Sequence, residues 1–590
     1  MRVPVSWLRE YVDVPPEPAA IEAALVRVGL EVEEITDLRA SVSGSLVVGR
    51  VQAITELAEF KKPIRHCLVD VGEGEPRSIV CGATNFAVGD LVPVILPGGV
   101  LPGGFTIGSR QTYGHLSDGM ICSARELGLG DDTGLDPMTA GIIVLPSDVD
   151  AAPGDDARGA VGLDDIVVEL AITPDRGYCF SVRGIARELS HSLGVAFTDP
   201  GAGPGSAATK RPPHAVTVED PHGCDRFVAR LVRGADPTAP TPAWLRRRLA
   251  LAGVRPISLS VDLTNYLMLE LGQPMHAFDA ARLTGPVVVR RARAGERLTT
   301  LDGVERALDP EDLVIADDSG VISLAGVMGG ATTEVSESTT DILFEAAHWD
   351  PVAIARTGRR HRLSSEASKR FERGVDPQLA PVAVTRAGQL LIAYAGGTLD
   401  ERVLDINTVA PPAPIALAAD WPAKLAGVAY PARRVTALLR EIGAGVATAG
   451  RGQLSVTPPS WRPDLTDPAD LAEEVIRLDG YDKVPSQLPV APPGNGLTPQ
   501  QRRRRSVGRA LAEAGYVEVL SYPFVGLGVA DALGLAADDP RRPAVRLANP
   551  LSGEEPLLRT SLLPPLLAAL RRNHGRGTRE VALFEQGLVF

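Results

Sequence analysis

The sequence predicts an α+β protein of several domains, and three observations carry that prediction. An amphipathic helix, a glycine and a β-type run recur in IEAALVRVGLEVEEI (21–35), AWLRRRLALAGVRPISL (243–259), VTALLREIGAGVATA (435–449) and VGRALAEAGYVEVLSY (507–522). From about Ser45 to Pro146 the texture changes to short Val/Ile/Leu runs cut by Gly and Pro. Pro- and Gly-rich joints, DPGAGPGSAATKRPP (199–213), VAPPAPIALAADWP (409–422) and QLPVAPPGNGLTPQ (487–500), then divide the 590 residues, too many for one core, into five or six pieces.

Each element has a local reason. Gly commonly supplies the left-handed position that ends a helix, so the repeated joint reads as helix, C-cap, strand. Runs such as LVVGRVQAI, GDLVPVILPGGVLPGGF and GIIVLP have the spacing of a small closed barrel, for which an OB-fold is a good candidate. A second strand-rich block spans about 257–346, with turns at DG (302–303) and DDSG (317–320). Within it, DILFEAA places Glu345 in an apolar run, where a carboxylate needs a donor, either an Arg or a ligand.

The segment PSWRPDLTDPADLAEEVIRLDGYDKVP (459–485) concentrates acid. Asp467 can cap a helix running from Pro468 to about Gly480, with Asp470 at its third position. On that helix Asp470, Glu473 and Glu474 stand at i, i+3 and i+4, with Asp464 on the preceding loop. Oxygen ligands so spaced suit Mg²⁺, and acids in a first turn also suit the helix dipole; spacing alone leaves both readings open.

Composition excludes several classes. The formal charge of −13 argues against a protein that coats nucleic acid non-specifically. Cys67, Cys81, Cys122, Cys179 and Cys224 are scattered without a CxxC spacing, which indicates neither zinc nor disulfides and fits a reducing cytoplasm. The start MRVPVSWLREYVDVPP lacks a signal-like apolar core, and no apolar stretch of about 18 residues occurs, so a cytoplasmic protein with no membrane span is expected.

Seven stretches in order, VPVSWLREYVDVP (3–15), SIVCGATNFAVGDLVPVILPGGVLPGGF with SDGMICSARELGL (78–105 and 117–129), RPISLSVDLTNYLMLELGQPMHAFD (255–279), LAGVMGG (324–330), SSEASKRFERGVDP (364–377), the acidic segment extended to 489, and LRTSLLPPLLAALRRN (558–573), resemble the β subunit of bacterial phenylalanyl-tRNA synthetase over essentially the whole chain. The resemblance implies an OB-fold β-barrel tRNA-binding domain (41–151) inserted in an N-terminal α+β domain (1–40, continued in about 152–200). It further implies a mixed α/β B3/B4 editing domain (212–386), a small helix-rich α+β B5 module (410–486) and a partial class II synthetase-like antiparallel sheet domain (492–590).

The implied function is that of a β subunit. It would support ATP-dependent attachment of Phe to tRNA(Phe) in an α₂β₂ tetramer, with the synthetic site on the α subunit, and would hydrolyse mischarged Tyr-tRNA. Thr264, Asn265, His276, Ala325, Gly326, Gly329, Glu345 and Ala367 match the family's editing pocket, with Glu345 assigned to the Tyr phenol. Lys61, Lys62 and Arg65 would meet tRNA on the barrel. Asp464, Asp470, Glu473 and Glu474 match its Mg²⁺ ligands. LFEQG offers Glu and Gln where an active class II core has an Arg for ATP, so that module is expected to be a catalytically silent scaffold. The basic runs 502–505 and 571–579 face RNA, the partner or solvent. The family pattern continues beyond Phe590, so the sequence reads as truncated. A free-standing deacylase and a non-catalytic tRNA-binding protein are the alternatives; neither explains both the pocket residues and the B5 segment.

Overall fold

The computed structural model describes residues 1–57, 63–129, 141–146, 149–203 and 208–590. They form two compact units, Met1–Pro485 and Ser486–Phe590. Lys61 and Lys62 lie outside the described residues.

In the first unit, strands Arg2–Pro4 and Glu31–Asp37 flank Ile166–Ala171 in one antiparallel sheet, so the start of the chain is completed by a strand from beyond the barrel. Between them, five strands in the order Met120–Ile121, Leu91–Ile95, Leu46–Glu56, Arg65–Asp70, Arg77–Cys81 enclose Val51, Cys67, Val69, Ile79, Val92, Val94 and Ile121. The edges draw together where Asp118 N donates to the Ser78 carbonyl at 2.8 Å, giving a nearly closed barrel. Three of the four repeated joints are helix, glycine, strand, with Gly29, Gly443 and Gly515 at positive φ. The joint at 243–259 differs: after Gly253 the chain passes through an irregular stretch containing Pro256 into a second helix, Leu259–Leu271.

The centre of the unit is a four-stranded antiparallel sheet, Met275–Asp279, Ile342–Trp349, Cys224–Arg233, Thr398–Asn407. Helices Leu259–Leu271 and Ala380–Ala395 pack on one face through Leu263, Leu267, Ala383 and Ala387 against Val228, Phe344 and Ala346. On the other face, Phe227, Leu343, Ala347 and Trp349 meet Ile315 and Leu324 of a five-stranded sheet. Both faces of Ile342–Trp349 are therefore covered, which is why its sequence reads as a continuous apolar run rather than an alternation. Side chains alternate along a strand, so Glu345 shares a face with Leu343 and Ala347.

Residues 415–479 build a three-stranded sheet with helices Trp421–Ala426, Ala432–Glu441 and Pro468–Asp479 around Leu417, Val435, Leu439, Val456 and Leu471. The second unit carries helices Pro499–Glu513 and Leu563–Gly575. The antiparallel sheet expected there is reduced to two short pairs, and one of them, Val517–Glu518 with Leu583–Phe584, is parallel. The correction has a topological cause: the two strands are separated by the whole length of the module, including a helix, so they need not run hairpin-fashion.

Candidate active site

Antiparallel pairing sets His276 opposite Glu345 on neighbouring strands. Beside them is a cavity of about 70 Å³ whose wall includes Gly326, Gly329, Trp349, Ala367 and Phe371 as well as both titratable groups. Glu345 is 6% exposed, and burial pushes its carboxyl up to about 8. His276 Nε2 is buried with no hydrogen-bond partner, its ring sits edge-on to Phe278 at 4.4 Å, and burial lowers its pKa to about 4. At neutral pH the site therefore presents mainly an acid proton on Glu345 and an imidazole nitrogen of His276 with no hydrogen-bond partner. Among the described residues no guanidinium offsets the desolvation, which favours the neutral acid at Glu345.

Glycines create the space. A Cβ on Gly329 would lie 2.5 Å from His276 Cε1, and one on Gly326, at φ +66°, would lie 2.8 Å from Ile354 and 2.9 Å from Trp349. The helix Glu366–Phe371, started by a Ser365–Ser368 capping box, carries Ala367 and Phe371 to the wall, and Ser365 Oγ ties it to the Val327 carbonyl at 2.8 Å.

Five of the eight residues taken from the sequence, His276, Gly326, Gly329, Glu345 and Ala367, thus surround one cavity. Thr264, Asn265 and Ala325 do not line it. The Thr264 hydroxyl is spent on the Val261 carbonyl of its own helix (2.7 Å), Asn265 shares that helix, and Ala325 is packed into the apolar cluster behind the glycines. Trp349, Phe371, Met275 and Met328 were missed as lining residues: each reads as ordinary core in the sequence.

The acidic segment forms the expected helix, Pro468–Asp479, with an Asp467–Asp470 capping box. Its four carboxylates do not converge on one point. Asp464 pairs with Arg462 at 2.6 Å, and Asp470 accepts from the backbone of Thr466 and Asp467, each at 2.8 Å. Glu473 bonds Arg176 (3.0 Å) and the Tyr481 hydroxyl. Glu474, fully buried, is ringed by Arg176 (2.5 Å), Arg462 (2.9 Å) and Arg477 (2.7 Å). Among the described residues no group of three metal-binding side chains comes together. Guanidiniums and backbone N–H groups engage the four carboxylates that the resemblance assigns to Mg²⁺.

Arg65 is also engaged, by Glu56 (2.8 Å), by the Phe86 carbonyl (2.8 Å) and over the Phe86 ring at 5.1 Å. Among the described residues no helix is long and apolar enough to cross a membrane.

Family models match in four places: a putative tRNA binding domain at 46–153, a B3/4 domain at 223–396, a tRNA synthetase B5 domain at 415–481, and a phenylalanyl tRNA synthetase beta chain CLM domain at 484–590. These modules together define a subunit of an aminoacyl-tRNA synthetase. Phenylalanine–tRNA ligase beta subunits from Thermobifida fusca and Streptomyces avermitilis are each 57% identical over the whole chain and 71% of their own length. That of Nocardia farcinica is 56% identical over 99% of the chain and 71% of its own. The chain belongs to the phenylalanine–tRNA ligase beta subunit family, and its role is that of the beta subunit in making Phe-tRNA. The ligase activity is that of the complex, the family uses ATP, and the beta designation implies an alpha partner.

A solved N-terminal fragment of the phenylalanyl-tRNA synthetase beta-subunit from Pyrococcus horikoshii overlaps 54% of this chain and 88% of its own at 16% identity and TM-score 0.29, too slight a likeness to carry an argument.

Proposed function

We propose that the cavity between His276 and Glu345 hydrolyses Tyr wrongly attached to tRNA(Phe), within an α₂β₂ tetramer whose ATP-dependent synthetic site lies on the alpha subunit. The observation that carries this is a buried carboxyl with no charged partner beside a cavity. An apolar pocket cut for Phe rejects the added hydroxyl of Tyr by only about a hundredfold, so a second site that rewards the hydroxyl is needed. Glu345 can donate to the phenol oxygen or accept from it. Phe in its place leaves that carboxyl unpaired, at about 1–3 kcal/mol.

At about 70 Å³ the cavity holds water but is smaller than the roughly 150 Å³ that accepts a benzene ring. Entry of a tyrosyl ring therefore requires Met275 and Met328 to move, which unbranched thioether side chains do readily. His276 Nε2 is placed to hold a water for attack on the ester carbonyl. The test is Glu345→Ala in the assembled enzyme. Clearance of Tyr-tRNA(Phe) is expected to fall at least tenfold while Phe charging stays near wild type. Unchanged clearance removes Glu345 from this role.

A further inference from the structure

Resting on that reading, we infer that Arg356 and Arg359 on helix Pro351–His361 and Arg362 at its C-terminal cap form the phosphate-binding track that holds the 3′ end of the tRNA as its aminoacyl group enters the cavity.

The corner between that helix and helix Glu366–Phe371 belongs to the cavity wall. Ile354 of the first helix lies against Gly326, and the second helix supplies Ala367 and Phe371. The intervening turn is pinned to the wall by Ser365 Oγ on the Val327 carbonyl, and Arg306 Nη1 donates to the His361 carbonyl at 3.1 Å. While Ile354 points inward, Arg356, Arg359 and Arg362 are exposed.

Their charge is uncommitted. In this arginine-rich, net-acidic chain most guanidiniums near acids are paired; Arg360, in the same turn, is held by Glu311 at 2.8 Å and by Asp312. Among the described residues no carboxylate pairs with Arg356, Arg359 or Arg362, and Arg359 makes only a 3.1 Å bond to the Ala355 carbonyl of its own helix. Three exposed guanidiniums on the outer side of the helix that presses Ile354 against the cavity's Gly326 complement the phosphate backbone of a polyanion whose end carries the ester.

Backbone conformation adds an independent observation. Arg362 caps its helix at φ 53°, ψ 40°, in the left-handed region. Among the described residues only Tyr113 shares a positive φ without being glycine. Gly is the usual occupant of such a cap, and a side chain there is disfavoured unless something else selects it. On the track, the guanidinium is what selects Arg362 at this cap.

The experiment follows deacylation of Tyr-tRNA(Phe) by the assembled alpha–beta enzyme between 50 and 200 mM KCl. Each Arg→Gln substitution should raise KM about threefold, as for an exposed ion pair, and the triple variant about thirtyfold with kcat little changed. The slope of log affinity against log salt should become shallower by about 2, the value for three contacts to a single strand. Arg362→Gly separates function from fold: the melting temperature should hold or rise, while KM rises as for Arg362→Gln. Wild-type KM and salt slope in the triple variant would overturn the inference.

A second readout does not depend on hydrolysis. Phenylglyoxal modification, read by mass spectrometry, should spare these three arginines when Tyr-tRNA(Phe) saturates the enzyme; equal modification with and without RNA would overturn the track. Protection without Glu345-dependent clearance would leave the track standing and remove the editing reading. Glu345-dependent clearance without protection would do the reverse.

Discussion

His276 and Glu345 face each other across an antiparallel strand pair, both titratable, and neither is held by an opposite charge. Their pKa values move in opposite directions, so their effects on stability oppose. The folded chain keeps the Glu345 proton up to about pH 8, whereas an unfolded carboxyl loses it near 4.5, so this group erodes stability as pH rises between those values and no further above them. His276 refuses a proton until about pH 4, whereas the unfolded imidazole takes one near 6.5, so stability is lost as pH falls through that window. The two slopes cancel between about 4.5 and 6.5, leaving Glu345 alone above it. His276 is common to both chains, so Glu345→Gln should gain stability over wild type progressively from about pH 4.5 to 8, about 2 kcal/mol of it between pH 6.5 and 8. Thermal unfolding at pH 5, 6.5 and 8 checks this; a gain independent of pH would mean the carboxyl is already ionised.

Gly329→Ala tests the cavity itself. The added methyl would sit 2.5 Å from His276 Cε1, and the backbone there is not left-handed, so the substitution crowds the pocket without straining the chain. Tyr-tRNA clearance should fall more than tenfold with Phe charging close to wild type, and the melting temperature should drop modestly, since overpacking costs about 1–3 kcal/mol. Clearance at the normal rate would place the hydrolytic site elsewhere.

Much of this was legible in the sequence for local reasons. The cap of Pro468–Asp479, the glycine-ended helices and the isolated acid in DILFEAA all follow from rules that act within a few residues. What sequence could not provide were partners from afar. Arg176 reaches Glu474 across 298 positions and joins Arg462 and Arg477, both within the acidic segment itself, in an ion network around it. Spacing put Asp470, Glu473 and Glu474 on adjacent helical positions, but it carried no signal that three guanidiniums would fill the space between them. For Thr264, likewise, a motif does not say which face of a helix its hydroxyl takes.

Glu474 should accordingly behave as a structural ion. Burial opposes its charge, yet Arg477 and Arg462 beside it hold the carboxyl well below the usual range, so its contribution is present above the ordinary carboxylate pKa and lost on acidification. Glu474→Gln leaves three guanidiniums around a neutral amide and should cost about 3–5 kcal/mol. Chelation of divalent cations should leave the melting temperature of the wild-type chain unchanged. A rise in melting temperature with Mg²⁺ that Asp470→Asn abolishes would support the cation reading.

Arg65 offers the opposite test, of a residue expected to meet RNA and found at work within the barrel. Its guanidinium bonds Glu56 and the Phe86 carbonyl and lies over the Phe86 ring, leaving the side chain 15% exposed. A partly exposed ion pair and a cation–π contact each contribute up to about 1 kcal/mol. Arg65→Ala should thus destabilise the barrel by about 1 kcal/mol, read by denaturant unfolding. The affinity of the assembled enzyme for tRNA(Phe), measured at fixed salt, should change less than twofold. A larger loss of affinity with a shallower salt slope would mean that this guanidinium leaves Glu56 for a phosphate when RNA binds.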